Sequence, residues 1–110
     1  MALYKFVVLS NPVPGKEEDY NRWYSDQHLP DVVRCTDFVN GQRFSLVDSL
    51  AKDPPYKYLS IFDVETDDPA RTLRDLVSRA GGPEMPSSDA IDRAGAITGM
   101  FVPITDVVSK

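Results

Sequence analysis

The stretch YNRWYSDQHLPDVV, residues 20–33, decides how the rest of the chain is interpreted, because it holds the only tryptophan and the only histidine. Its spacing of i, i+3, i+4, i+7 and i+8 is that of one helical face and predicts an amphipathic helix. The members of that face are Tyr20, Trp23, Tyr24, Gln27 and His28. One end of the face is aromatic, and the other titrates near neutral pH. The predicted helix is therefore suited both to pack against a sheet and to transfer a proton.

A proline sets the predicted end of this helix. Leu29 precedes Pro30, and a residue before proline is disfavoured in helical geometry, so we expect the helix to break or kink just after His28. Residues 31–34 would form a further turn with Pro30 at its first position. Two roles for the histidine follow. It either stabilises the helix C-terminus with a partial positive charge, or it faces a bound substrate.

Length, composition and charge limit the classes of protein to consider. A chain of 110 residues fits one domain, which we place at residues 1–110. Its composition, 42% hydrophobic and 26% charged, is typical of a soluble globular protein. A net charge of −5 disfavours nucleic acid and anionic membrane surfaces as partners. Apolar runs such as residues 6–9 are far shorter than the roughly 20 residues that span a bilayer.

The single cysteine and the first residues indicate a cytoplasmic location. Cys35 has no second cysteine with which to form an internal disulfide, which agrees with a reducing compartment. Its neighbours Arg34 and His28 would favour a reactive thiolate, but a buried small hydrophobe is the commoner role of a lone cysteine. Residues 1–12 lack a small-residue cleavage site, so they predict a first strand, not a secretion signal.

Four strands and a second helix are predicted beyond the opening helix. The strands are residues 3–10, 37–48, 56–65 and 96–108, the second with a bulge at Gly41. The second helix opens at Asp67-Asp68-Pro69, with an N-cap and a proline in its first turn, and ends at the Gly81-Gly82 pair. Its apolar stripe consists of Leu73, Leu76, Val77 and Ala80. Residues 85–95 read as a connector, with a lid over a site as the alternative.

The element order β-α-β-β-α-β predicts an α+β, ferredoxin-like fold, in which a four-stranded antiparallel sheet carries two helices on one face. The strands are apolar on both faces, and the face without helices would lie in water. A large exposed apolar surface is a mark of association. A homodimer that stacks two sheets face to face would cover it.

Three motifs give the chain a resemblance to the dimeric α/β-barrel proteins, and within them to the EthD-like group. They are WYxxxHLPD at residues 23–31, GxRF at residues 41–44 and YLxIF at residues 58–62. The resemblance implies a dimer with one cavity per subunit and cofactor-free chemistry on hydrophobic, phenolic or polyketide-like molecules. A first-helix histidine that matches His28 acts as acid or base in several branches. Branches that use several histidines, or haem, fit a chain with one histidine less well.

The candidate catalytic residue is His28, as general acid or base. Asp31, three residues on, is positioned to orient the imidazole if the helical turn continues. Tyr24 and Arg43 are candidate polar anchors for the substrate. A cation in an apolar strand needs an anionic partner, and the alternatives are a protein carboxylate such as Asp63 or an anionic group of the substrate.

Four aromatic residues are candidate walls of a substrate cavity, with ordinary core packing as the alternative for each. They are Trp23, Tyr4, Tyr58 and Phe101. We expect no metal site, because the sequence has one histidine, no cysteine pair and no HExxH spacing. Neither a G-x-G-x-x-G nor a P-loop motif occurs, so we expect no nucleotide cofactor.

The sequence thus leads to a cofactor-independent lyase, isomerase or cyclase that acts on a small hydrophobic or aromatic substrate. One alternative is a non-catalytic dimer that binds a ligand or serves in a stress response. Another is a cofactor-free monooxygenase of activated phenols, which would consume oxygen.

Overall fold

A four-stranded antiparallel sheet with helices packed on one face forms the part of the chain that the computed structural model describes, residues 2–110. Met1, the first residue of the predicted domain, lies outside the described residues. The strands are β1 (Ala2–Ser10), β2 (Phe38–Ser45), β3 (Tyr58–Thr66) and β4 (Ile97–Phe101). The helices are α1 (Glu17–Trp23), α2 (Leu29–Val33) and α3 (Pro69–Arg79), with a π-helical segment, Tyr24–His28, between α1 and α2. The predicted α+β class and antiparallel sheet are confirmed.

The sheet has the strand order β2-β3-β1-β4, which places β1 and β3 in its centre. Phe6 lies opposite both Phe62 and Met100 in the register, so these side chains share one face. That face packs against Val32 of α2 and forms the main hydrophobic core. The predicted alternation of β3 is confirmed, because Ser60, Phe62 and Val64 are all buried on this side.

The β-bulge of β2 lies at Val39, between Phe38 and Asn40, and the predicted bulge at Gly41 is wrong. The extra residue lets Phe38 and Gly41 both face the helices. Phe38 packs edge-on against Phe6, with ring centroids 5.9 Å apart. A bulge turns the following residues to the opposite face, so strict alternation from Phe38 would put Gly41 on the face without helices.

Of the predicted break or kink after His28, the break is wrong, because the helix continues through Pro30 and only its hydrogen-bond pattern changes, from π-helical to α-helical. Leu29 keeps helical angles, φ −58° and ψ −51°, and its amide donates to the carbonyl oxygen of Tyr24, five residues earlier. Proline has no amide hydrogen to give to the helical ladder. In the π-helical segment the backbone hydrogen bonds join residues five apart instead of four. Pro30, which cannot donate such a bond, comes directly after this change in the hydrogen-bond pattern. Leu29 therefore stays helical, although a residue before proline usually avoids that conformation.

The start of α3 agrees with the prediction, whereas β4 ends earlier than predicted. The Asp68 side chain caps α3 and accepts a hydrogen bond of 3.1 Å from the amide of Arg71, as predicted. Strand β4 stops at Phe101, whereas the sequence predicted a strand to residue 108. Pro103 has no amide hydrogen with which to continue the ladder, and residues 102–110 are exposed. No helix among residues 2–110 is long and apolar enough to cross a membrane.

Gly41→Ala tests the close approach between β2 and the core. A Cβ at this position would lie 2.5 Å from Cδ1 of the buried Phe62 and 3.1 Å from Cγ2 of Val33. We expect urea denaturation to show a loss of about 1–3 kcal/mol in the free energy of unfolding, the usual cost of overpacking a core. Gly95→Ala is the control, because the added Cβ there meets the exposed carboxylate of Asp92, which can move. Equal losses in the two variants would contradict the explanation.

Candidate functional site

A cavity of about 390 Å³ lies between the sheet and the helices. Small-molecule sites commonly have volumes of about 300–1,000 Å³. The sheet contributes Phe6 and Phe62 to its lining, and α3 contributes Leu73 and Leu76. The lining is apolar over most of its surface, and the charged or titratable side chains that reach it are Tyr24, His28 and Arg93.

His28 is held in the cavity wall by aromatic contacts. Its ring stacks on Trp23, with centroids 4.6 Å apart and planes 20° apart, and meets Tyr24 edge-on at 4.9 Å. The Nδ1 atom is buried and has no hydrogen-bond partner among residues 2–110. Buried polar atoms are nearly always paired, so such an atom calls for an explanation. The ring of His28 also borders the cavity, so a ligand bound there would lie against the imidazole.

Burial keeps the imidazole neutral. Removal from water lowers the pKa of His28 to about 4; the carboxylate of Asp31 opposes this shift, while the cations Arg93 and Arg43 add to it. A neutral ring has one nitrogen that accepts a hydrogen bond or a proton. The suggested role as a helix cap is not supported, because the helix does not end at His28 and the ring carries no positive charge near neutral pH.

Tyr24 lies beside His28 and also lines the cavity. Its side chain is almost fully buried, and burial raises the pKa of its hydroxyl to about 12, with a hydrogen bond to Ser60 acting in the opposite direction. The hydroxyl therefore stays protonated at physiological pH. The Tyr24 ring is held in the core, and the imidazole of His28 packs against it in an edge-on contact.

Arg43 does not reach the cavity lining but contacts Tyr24 from outside it. Its guanidinium lies 4.5 Å from the Tyr24 ring centroid and donates to Asn21 Oδ1 at 3.0 Å and to Ser25 Oγ at 2.8 Å. Asp63, the protein carboxylate considered as one alternative partner of Arg43, pairs with Lys5 instead. The register explains the difference, because Asp63 lies on the face of the sheet without helices whereas Arg43 points toward α1.

Asp31 is buried, but its carboxylate bonds to Gln27 at 2.6 Å and to Arg34, with no hydrogen bond to His28. These residues border a separate polar cleft of about 480 Å³. Cys35 lies at the same cleft, where burial raises the pKa of its thiol. A raised thiol pKa favours the role of a small buried hydrophobe.

The remaining candidate wall residues lie apart from each other. Trp23 contacts His28 and its indole Nε1 donates to the Pro86 carbonyl at 3.1 Å. Tyr58 packs on Tyr20 at 5.2 Å and is not part of the cavity lining. Tyr4 packs against the main core. Phe101 is 59% exposed on the face of the sheet without helices. The cavity thus brings together His28 and Tyr24, with Trp23 behind them.

Arg93 was missed by the sequence analysis, which treated residues 85–95 as a connector. This segment is fixed to the residues that follow β1, because the amide of Val13 donates to the Ala90 carbonyl at 2.7 Å and the amide of Asp92 to the Asn11 carbonyl at 3.0 Å. The fixed segment closes one side of the cavity and brings Arg93 to its lining. No spacing in the sequence signals this contact, which depends on tertiary docking of a loop.

Comparisons with known proteins do not identify the chain. No family model and no characterised protein matches its sequence. Among solved structures, it is similar to an EthD family protein from Bacillus halodurans C-125, with 13% identity, 88% of this chain and 96% of that chain covered, and a TM-score of 0.49. Likeness at this level does not establish a shared activity. Within residues 2–110, no group of three histidine, cysteine or carboxylate side chains is arranged to hold a metal ion.

The pKa of His28 predicts how stability changes with pH. It is about 4 in the folded chain and about 6.5 in the unfolded chain, so the unfolded chain binds the proton first as the pH falls. We expect the free energy of unfolding to drop by about 2 kcal/mol between about pH 7 and about pH 5. His28→Phe keeps a ring against Trp23 and should remove this slope. Since the chain has one histidine, equal slopes in denaturant titrations of the two proteins would contradict the prediction.

Proposed function

We propose that this chain is a cofactor-independent enzyme that transfers a proton on a small hydrophobic substrate, with His28 as the general base. One observation carries the proposal: the Nδ1 atom of His28 is buried, has no protein partner among the described residues and belongs to a ring that lines an apolar cavity. An ordinary core histidine would satisfy both ring nitrogens. A substrate in the cavity would lie against this ring, whose protonation state is not fixed by a hydrogen bond to the described residues.

The lowered pKa of His28 keeps the ring unprotonated near neutral pH, makes it a weaker base than a free imidazole and makes its conjugate acid a stronger acid. The neutral ring accepts a proton from a carbon or hydroxyl of the substrate near neutral pH. The resulting imidazolium, with a pKa of about 4, is a strong acid and returns the proton readily to another atom. Return to a different carbon gives an isomerase, and return to a departing hydroxyl gives a lyase. Ring closure by the intermediate carbanion gives a cyclase.

Tyr24 and Trp23 support the base by position. They hold the imidazole from two sides, at ring distances of 4.9 Å and 4.6 Å, so the ring keeps one orientation without a hydrogen bond at Nδ1. Arg43 acts through Tyr24, over whose face it lies. In this proposal Tyr24 contacts substrate, whereas Arg43 is a positioning residue.

A homodimer of the dimeric α/β-barrel, EthD-like kind forms part of the same proposal. The strand order β2-β3-β1-β4 and the β-α-β-β-α-β sequence of elements support a ferredoxin-like subunit. The face of the sheet without helices supports the dimer. Its apolar side chains include Val7, Phe44, Ile61, Ile97 and Phe101.

Dimerisation is tested by sedimentation velocity. We expect the wild-type protein to sediment as a dimer and Ile61→Asp to shift it toward monomer, because a carboxylate would be buried without a partner between two sheets. Arg74→Gln changes the charge on the exposed side of α3 and should leave the dimer intact. A monomeric wild-type protein at micromolar concentration would contradict this part of the proposal.

The catalytic role of His28 is tested by hydrogen exchange on carbon. Phenolic ketones and 1,3-diketones are incubated with the protein in deuterated water, with a chelator present, and C–H signals are followed by NMR. We expect enzyme-dependent exchange that falls at least about 10²-fold in His28→Phe, the usual contribution of a general base. Arg74→Gln should exchange as the wild type does.

The catalytic proposal is contradicted if exchange persists in His28→Phe. It is also contradicted if the wild-type protein catalyses exchange in none of the compounds. Binding of a hydrophobic ligand without chemistry is the second candidate, and the mainly apolar lining of the cavity favours it. In that case the compounds would bind without exchange. An oxygen electrode in the same assay detects the monooxygenase alternative.

The free thiol of Cys35 and the net charge of −5 support a cytoplasmic protein without nucleic-acid partners.

A further inference from the structure

Arg93 places a cation on the lining of an otherwise apolar cavity. It belongs to the segment that closes one side of the site, and its charge acts on His28, whose pKa it helps to lower. The two side chains therefore share one small volume. Arg93 itself is exposed, so its guanidinium lines the cavity while part of it faces solvent.

The protein supplies Arg93 with neutral partners alone. Its Nη2 atom donates to the hydroxyl of Ser87 and, at 2.9 Å, to the carbonyl oxygen of Ser88. No carboxylate within residues 2–110 forms an ion pair with Arg93, and the cavity lining contains no aspartate or glutamate. The serine contacts fix one edge of the guanidinium and leave its other donors available.

We propose that Arg93 binds an electron-rich oxygen of the substrate, so that the site takes an apolar molecule with an enolisable ketone or a phenol next to the carbon that loses the proton. This inference rests on the proposed function, since it names the substrate class of the same cavity. Arginine suits the task because its charge is permanent and its donors form a rigid fork toward oxygen.

The proton transfer balances with these groups alone. The unprotonated nitrogen of His28 takes the proton from the carbon next to the carbonyl. The electron pair of the broken C–H bond forms the C=C bond of the enolate, and the π pair of the carbonyl moves to its oxygen. Arg93 offsets the charge that develops on this oxygen, while the imidazolium keeps the proton until it returns it to the product. A cation placed in advance near a developing oxyanion lowers the barrier without reorganisation.

A nitrophenol tests the oxyanion site without requiring turnover. 4-Nitrophenol resembles an enolate in having an apolar ring and one ionisable oxygen, and its absorption spectrum separates the phenol from the phenolate. Spectrophotometric titration of the bound probe measures the preference of the site for the phenolate. We expect the wild-type protein to bind phenolate at least about tenfold more tightly than phenol, the scale of a hydrogen bond between charged groups.

Variants assign that preference to Arg93. Arg93→Gln should abolish the preference for phenolate, Arg93→Lys should keep part of it, and Arg74→Gln should not change it. Near-ultraviolet circular dichroism checks that each variant is folded. The proposal is overturned if Arg93→Gln retains the preference, or if the folded wild type binds no phenolate at millimolar concentration.

His28→Phe separates this inference from the proposed function. It should lose carbon exchange yet still prefer phenolate over phenol, because the cation is intact. If His28→Phe keeps full exchange while Arg93→Gln loses the phenolate preference, the oxyanion site stands and the base assignment fails. If exchange depends on His28 but Arg93→Gln leaves both exchange and phenolate preference unchanged, the base stands and the oxyanion site fails.

Discussion

The missing amide hydrogen of Pro30 is the constraint on which the site depends. A break at this proline would have left His28 at a free helix end, open to water. The π-helical segment Tyr24–His28 instead carries the chain through the proline, with the Leu29 amide bonded to the Tyr24 carbonyl. Tyr24 and Val32 are consequently both buried against the sheet, and His28 lies between them on the same side. π-Helical turns inside α-helices often occur at functional sites, and here one positions a titratable ring.

Burial determines the chemistry of that ring. A histidine exposed to water would be partly protonated near neutral pH, whereas desolvation by aromatic neighbours keeps His28 neutral. The cation of Arg93 reinforces this state and adds a positive charge to the lining, so the site combines a neutral base with a fixed cation. Neither group has a carboxylate as a direct bonding partner in the part of the chain described here. A ligand with one electron-rich oxygen and an acidic hydrogen would complement both groups.

The elements and the histidine motif could be predicted from the sequence because they follow local rules. Alternation placed Phe62 and Val64 on the buried face of β3, and the cap at Asp68 fixed the start of α3. Local rules failed where tertiary packing outweighs them. The packing of Phe38 in the core goes with a bulge at Val39 instead of the predicted one at Gly41. Leu29 stays helical within the packed helix, although it precedes a proline. Arg93 could not be predicted, because its place in the lining results from docking of a loop against the residues that follow β1.

The stacking of Trp23 on His28 makes the site optically observable. Trp23 is the only tryptophan of the chain, so all tryptophan fluorescence of the protein comes from this indole. Its ring centroid lies 4.6 Å from that of the His28 imidazole. A charged imidazolium draws electron density from an excited indole, whereas a neutral ring in the same position does so far less. The emission of the unmodified protein is therefore an internal indicator of whether His28 holds a proton, and it can be followed in real time without a label or a known substrate.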